Sequence, residues 1–419
     1  MSDYPFKHFV VLMMENQSFD RLLGFVNGIG KLDGSEFSLN SNNEKVFASR
    51  GGHPVKDHLF DPPHSTKATM KQLWGETEYQ GQKPDGSGWI KSHWPSSEIS
   101  AEKSFMKCFD DVDQQLPAMI TLAKNYVVCD RNFSAMPGPT APNRLFLHAA
   151  TSGGYTGGTY MGGEKGLNVP EGMQSIFEAI DDTDENLSWN LYNIYPQLTT
   201  ALAFPYVRSN VDRVRTFKQF EEDCMNDNLP TYSVINPELY VNCQHAGGDG
   251  SSLVDGDNYI ASVYEAIRRN QEVFDKTLFY ITYDEAGGYW DSVVSDEVLP
   301  KTEVTYPRKD WPDEGPEYDF QFAGARIPGL LISPWLDHSV DSTFFEHSSV
   351  PATVKELFKT KARGPEGFLT TRDQAANNLV SNLKIRDTPR RDLPCLPRSK
   401  YNHEMLEARA KARQEKSLK

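Results

Sequence analysis

Cysteine is scarce in this sequence: Cys108, Cys129, Cys224, Cys243 and Cys395 are the only five in 419 residues. They are scattered, odd in number and form no Cys-x-x-Cys pair, so neither a disulfide framework nor a thiolate zinc cluster is expected. Long hydrophobic runs are also missing. Nothing approaches the ~18–20 apolar residues that cross a bilayer, and the first apolar run, Phe9 to Met14, stops at Glu15-Asn16. That run reads as a core strand, which cannot be a cleaved leader. The expectation is a soluble chain without a cleavable signal peptide or transmembrane segment, either cytoplasmic or exported by a signal-independent route.

Positive charge is in deficit. Against 58 Asp and Glu stand 43 Lys and Arg, a net charge of −15. Such a surface excludes broad nucleic-acid binding, which depends on neutralising phosphates. The local exception is a C-terminal crowd that includes Arg390, Arg391, Arg398, Lys400 and Arg409, read as a solvated basic extension over 386–419. A dinucleotide cradle is lacking too: no strand leads into the Gly-rich stretch at 153–166, which reads as a loop.

What is present suits a large globular core: 38% hydrophobic and 11% aromatic residues. Phe6 to Met14 is nearly unbroken apolar sequence, as in a strand covered on both faces. Further strands are expected at 126–129, 187–192, 231–235, 277–283 and 327–333, with helices near 19–25, 116–126, 145–150, 257–271 and 350–358. Strands alternating with helices indicate an α/β sandwich with a mainly parallel sheet and helices on both faces. One domain over 1–385 is expected, with an irregular insertion at about 26–100. Trp74, Trp89 and Trp94 in that insertion suit either lipid contact or the core.

In open α/β sheets a site forms beyond the carboxyl ends of the strands. Three polar groups fall there: Glu15-Asn16, Thr140 at the start of a helix, and Asp284-Glu285 before Gly287-Gly288. Each alone has a plain alternative, a capping Asn, an N-cap Thr or an acidic turn. Together they supply oxygen ligands for a divalent cation and a hydroxyl at a helix N-terminus. A metal activates a coordinated hydroxyl and neutralises phosphate charge, and a helix N-terminus favours the same anion.

The segments Glu15-Asn16-Gln17-Ser18-Phe19-Asp20, Pro137-Gly138-Pro139-Thr140-Ala141-Pro142-Asn143-Arg144, Asp284-Glu285-Ala286-Gly287-Gly288, Ser333-Pro334-Trp335 and Glu346-His347-Ser348-Ser349 resemble the signatures of the phosphoesterase family. That family holds bacterial phosphatidylcholine-hydrolysing phospholipases C, plant non-specific phospholipases C and an acid phosphatase. The resemblance implies an alkaline-phosphatase-like fold and a phospho-enzyme mechanism. It makes Thr140 the nucleophile and Glu15, Asn16, Asp284, Glu285 and Thr140 the metal ligands. Asn143 and Arg144 would orient the nucleophile turn or the phosphate, and His64 and His347 would stand ready to protonate the leaving alkoxide.

The expected activity is a metal-dependent phospholipase C acting on phosphatidylcholine-like glycerophospholipids, with transient contact at a membrane surface. No protein partner is readable. Zinc ranks first as the metal, through a histidine ligand or kinship with bacterial zinc-dependent members; Mg, Mn or Ca suit the oxygen donors. A soluble phosphomonoesterase with the same residues is the alternative, and an inactive lipid-binding protein a remote one. The chain departs from the plant pattern where Ala286, Ser292 and Arg21 replace histidines, which points toward the bacterial branch. His245 and Asp249 are the candidates to substitute for an absent Asp-His-Pro stretch.

Overall fold

Along the first strand Phe9, Val11 and Met13 face one way and Val10, Leu12 and Met14 the other, and all six are buried. Period-two alternation therefore feeds two separate apolar layers, one on each face of the sheet. Each such side chain contributes about 1.5–3 kcal/mol on leaving water, which is why these strands carry almost no polar residue. The computed structural model describes residues 4–58, 61–75, 79–91, 105–112, 114–159, 166–193, 199–239, 241–247, 252–301, 305–313 and 315–417.

Among the described residues eight strands form the central sheet: β1 (His8–Met14), β2 (Val127–Cys129), β3 (Trp189–Asn193), β4 (Val214–Thr216), β5 (Tyr232–Asn236), β6 (Thr277–Tyr283), β7 (Gly329–Ile332) and β8 (Ser339–Asp341). Their order is β8-β2-β7-β6-β1-β5-β3-β4. Only β7 runs against its neighbours β6 and β2; the other pairings are parallel. In the central pair Phe9 is opposite Leu278 and Met14 opposite Tyr283, so β1 and β6 end side by side. That register puts Glu15-Asn16 next to Asp284-Glu285.

Helices cover both faces. On one lie α1 (Phe19–Leu23), α3 (Pro117–Asn125), α6 (Phe217–Met225) and α7 (Leu253–Arg268), packed on the Val10 side of the sheet. On the other lie α4 (Thr140–Ala149), α5 (Ile176–Asp181) and α8 (Ser349–Phe358), packed on the Phe9 side. The α/β sandwich expected from the alternation is the observed architecture. β4 and β8 were not anticipated: each is three residues long and partly exposed, too short to show a period.

The insertion carries helix α2 (Thr66–Trp74), a small hairpin of Phe37–Leu39 with Lys45–Phe47, and a bridge from Ser49–Arg50 to Lys107–Cys108. Trp74 and Trp89 are buried and join the main core; Trp94 lies outside the described residues. Asp20, Asp291 and Arg326 make a buried ionic cluster, with Arg326 Nη2 donating to Asp20 Oδ1 at 2.7 Å and Nε to Asp291 Oδ1 at 2.9 Å. Removing one member of such a cluster strands a charge, at a cost of about 3–5 kcal/mol.

The basic C-terminal segment is tied down more than a solvated extension would be. Arg391 pairs with Asp275, Arg386 with Asp337 and Arg409 with Asp255, while Met405 of the C-terminal helix α9 (Asn402–Ser417) packs on Val55 and Val254. These cations meet carboxylates of the domain itself, which lowers their value as a free basic patch.

Candidate active site

The site collects at the carboxyl ends of β1, β5 and β6. β1 delivers Glu15 and Asn16, both buried. Asn16 has φ of 58°, the left-handed region that Asn tolerates better than most side chains. Its backbone N–H donates to Asp284 Oδ1 at 3.1 Å. The turn after β6 leaves room for this: Gly287 has φ of +62°, and a Cβ there would fall 2.5 Å from Asn16 Cβ. Glycine is required at that crossing.

Thr140 is the first residue of α4, with Pro139 before it in extended conformation. Its hydroxyl donates to Glu15 Oε2 at 3.3 Å, and the residue stays 9% exposed at a buried acidic centre. The turn before it is held by Asn143, whose Oδ1 accepts from Met136 N–H at 3.1 Å and whose Nδ2 donates to the carbonyls of Gly138 and Pro139 at 3.0 and 3.1 Å. One turn along α4, Arg144 donates to Glu15 Oε1 at 2.5 Å, to Asn236 Oδ1 at 2.8 Å and to the Met13 carbonyl at 3.3 Å, with Asp284 Oδ2 3.5 Å from Nε. Arg144 is thus tied to Glu15 and lies beside Asp284.

The electrostatics are one-sided. Glu15, Asp284 and Glu285 face a single guanidinium, Arg144. Burial, then the Asp284 charge, push the Glu15 carboxyl well above its ordinary range, with Arg144 opposing. Burial and the charges of Asp284, Glu15 and Asp61 do the same to Glu285. Among the described residues Asp284 Oδ2, Glu285 Oε1 and Asn16 Oδ1 are buried without a hydrogen-bond partner. Orphaned acceptors around uncompensated negative charge fit a divalent cation, which supplies the missing positive charge and the missing partners.

The histidines divide. His347 accepts from Ala135 N–H at Nδ1 (3.2 Å) and donates from Nε2 to the Tyr283 carbonyl (2.8 Å). Both nitrogens meet backbone groups, tying the segment before Thr140 to the end of β6. His64 donates from Nδ1 to the Pro62 carbonyl at 2.6 Å, and Nε2 lies 3.4 Å from Asn16 Nδ2. That contact makes Nε2 the lone-pair nitrogen, an acceptor toward the site. His245 approaches the His64 ring edge-on, with centroids 5.4 Å apart; Asp249 lies outside the described residues.

The substituted positions have ordinary roles. Ala286 is buried, Ser292 N–H donates to Asp20 Oδ2 at 2.7 Å, and Arg21 stacks on Tyr289, 3.3 Å from its ring centre. Two members of the site escaped sequence reasoning. Asn236, the last residue of β5, holds Arg144 and carried the same strand-end signal as Glu15. Asp61 stands 3.5 Å from His64 Nδ1 and comes from an irregular segment, where only its nearness to His64 could have marked it.

The chain belongs to the phosphoesterase family, whose pattern it matches over residues 6–361, and is a hydrolase of phosphoric ester bonds. Among relatives, non-specific phospholipase C5 of Arabidopsis thaliana is 33% identical over 93% of this chain and 76% of its own length. Non-specific phospholipase C3 of the same plant is 31% identical over 94% and 77%. The non-hemolytic phospholipase C of Pseudomonas aeruginosa is 25% identical over 84% of this chain and 54% of its own. These plant relatives share more of the sequence than the bacterial one, against the branch suggested by Ala286 and Ser292; replacement of a few histidines is a local change and does not track overall descent. Solved structures that align include the lipoteichoic acid synthase LtaP of Listeria monocytogenes (TM-score 0.39, 10% identity, 97% of this chain and 90% of that one). Another is an alkaline phosphatase superfamily protein of Vibrio parahaemolyticus (TM-score 0.31, 10% identity, 58% and 60%).

Proposed function

We propose that this chain is a phospholipase C that cleaves the glycerol-side phosphodiester of glycerophospholipids through a phospho-threonine. The observation that carries the reading is the Thr140 hydroxyl, aimed at Glu15 on the first turn of a helix beside three orphaned acceptors. Glu15, Asn16, Thr140, Asp284 and Glu285 would hold a divalent cation, which lowers the pKa of the hydroxyl and screens the phosphate. Five oxygen donors suit Mg²⁺, Mn²⁺ or Ca²⁺ as well as Zn²⁺.

Thr140 Oγ1 loses its proton to water and attacks phosphorus, the bond to the glycerol oxygen breaks, and diacylglycerol leaves as that oxygen takes up a proton from water. The phosphate with its head group stays on Thr140 until water displaces it and restores the hydroxyl. Backbone N–H groups of the first turn of α4 receive the phosphoryl oxygens. Asn143, Arg144 and His347 fix the turn, the carboxylates and the strand end. His64, whose Nε2 lies 3.4 Å from Asn16 Nδ2, stands on the leaving-group side of the site.

A groove of about 980 Å³ opens beside Ser65 and Pro139, the neighbours of His64 and Thr140, and runs past Lys67, Trp74, Tyr79 and Arg308. Its mixed charge and aromatic lining suit a polar head group better than acyl chains. The test is a product assay on phosphatidylcholine vesicles. Wild-type protein releases diacylglycerol, and Thr140→Ala loses at least about a thousandfold with its circular dichroism unchanged. Phosphate release from a small aryl phosphate without diacylglycerol would make the enzyme a phosphomonoesterase. Full activity in Thr140→Ala would remove the nucleophile.

A further inference from the structure

In the phospholipase reading, on which this inference rests, the bond to glycerol breaks while the phosphate and its head group stay on Thr140. The head group therefore lies in the groove that opens beside Pro139. Helix α2 forms one wall of it. The first turn of α2 is packed against the turn before Thr140: Thr66 Oγ1 donates to the Thr156 carbonyl at 2.7 Å, and a Cβ on Gly138 would fall 2.6 Å from that oxygen. Lys67 and Lys71, about one helical turn apart, then line the groove.

The charges of the groove are unequally engaged. Asp313 accepts from the Tyr155 hydroxyl and from the N–H groups of Gly158 and Thr159, the last two at 2.7 and 3.1 Å. Arg308 donates to the Gly315 carbonyl, lies 3.8 Å from Glu317 and stands over the Trp311 ring, 5.1 Å from its centre. Lys67 and Lys71 differ from both. They are exposed, and among the described residues neither ammonium has an ion pair or a hydrogen bond.

Two like charges at this spacing repel each other along a helix, and here they are cations in a chain of net charge −15. An anion seated between them removes the repulsion and pairs both. We infer that the groove selects glycerophospholipids whose head group carries negative charge beyond the scissile phosphate, and that Lys67 and Lys71 are the residues that recognise it. A head-group carboxylate and a second phosphate supply that chemistry equally.

The test uses monomeric short-chain lipids, so that adsorption to a charged surface plays no part. Full-length protein loaded with divalent cation is assayed on dihexanoyl lipids below their critical micelle concentrations, and kcat/KM is compared within two pairs. Phosphatidylserine and phosphatidylethanolamine differ by a carboxylate; phosphatidylinositol monophosphate and phosphatidylinositol differ by a phosphate. The more negative member of at least one pair should be favoured by about tenfold, and the pair that shows it identifies the group. Lys67→Gln combined with Lys71→Gln should bring that ratio to about one, and Lys67→Glu combined with Lys71→Glu should invert it. Both side chains are exposed and unbonded, so neither double variant threatens the fold, and an inverted preference cannot come from misfolding. Ratios near one in wild type for both pairs, or a ratio unmoved in both double variants, overturn the inference and leave the phospholipase reading standing. Equal loss of activity on both members of a pair overturns it as well, since the lysines would then serve turnover and not selection. Diacylglycerol released by wild type from none of these lipids overturns that reading and this inference together.

Discussion

His148 lies on α4 between Phe177 and Phe204, with ring centroids 5.3 and 6.4 Å away, and neither ring nitrogen has a hydrogen-bond partner among the described residues. Burial, assisted by the charges of Arg144 and His347, lowers its pKa to about 3. The unfolded chain protonates this group near its ordinary 6.5, while the folded chain resists until about pH 3. Stability is therefore complete above pH 6.5 and lost as pH falls from there toward 3. At pH 4.5 the loss amounts to about 2–3 kcal/mol from this residue. Replacing His148 with Leu should flatten that acid limb, read as the difference in urea midpoint between pH 7 and pH 4.5; an unchanged pH slope would show that the ring is hydrated. At this scale the sequence was informative where a polar residue followed a readable strand, as at Glu15, Asn16, Asp284 and Glu285. It was silent on which atoms are already committed. His347 sits in a recognisable motif, yet its two backbone bonds depend on Ala135 and Tyr283, residues distant in the chain.

At the scale of elements, the turn before Thr140 depends on one side chain. Asn143 ties Met136, Gly138 and Pro139 to the first turn of α4, so that Thr140 is presented by a fixed loop and not by the helix alone. Asn143→Ala leaves three backbone groups unpartnered, each at a cost of about 1–3 kcal/mol where water cannot replace the bond. A displacement of Thr140 by an ångström costs catalysis on the order of a hundredfold. The variant should therefore lose kcat by about that factor with KM little changed, while Asn143→Asp, which keeps the Met136 bond, loses less. Loss of thermal stability with unaltered kcat would reduce Asn143 to a structural residue. Long buried elements were legible: β6 was expected at its observed bounds, since seven consecutive buried residues leave no ambiguity. The helix after Thr140 was expected with its apolar part from Leu145, Thr140 at its N-terminus and Pro142 in the first turn, where its missing N–H is harmless; α4 begins at Thr140.

Across the whole molecule the unusual quantity is negative charge, and three of its buried carboxyls, Glu15, Asp284 and Glu285, meet where β1 and β6 end. A domain with Glu15, Asp284 and Glu285 against Arg144 is strained without a cation and relieved with one. Binding to the folded state alone stabilises by about 4 kcal/mol at a thousand times the dissociation constant. Chelation should lower Tm by several degrees, and restoring a divalent cation should recover it. Glu285→Gln separates this linkage from a general effect of chelator. Removing one buried charge should raise Tm of the stripped protein, because less uncompensated charge is confined, and lower Tm of the loaded protein, because a ligand is lost. The two Tm changes thus have opposite signs, a pattern that loss of packing cannot produce. If Glu285→Gln melted lower in both states, Glu285 would be holding the fold together and not a metal.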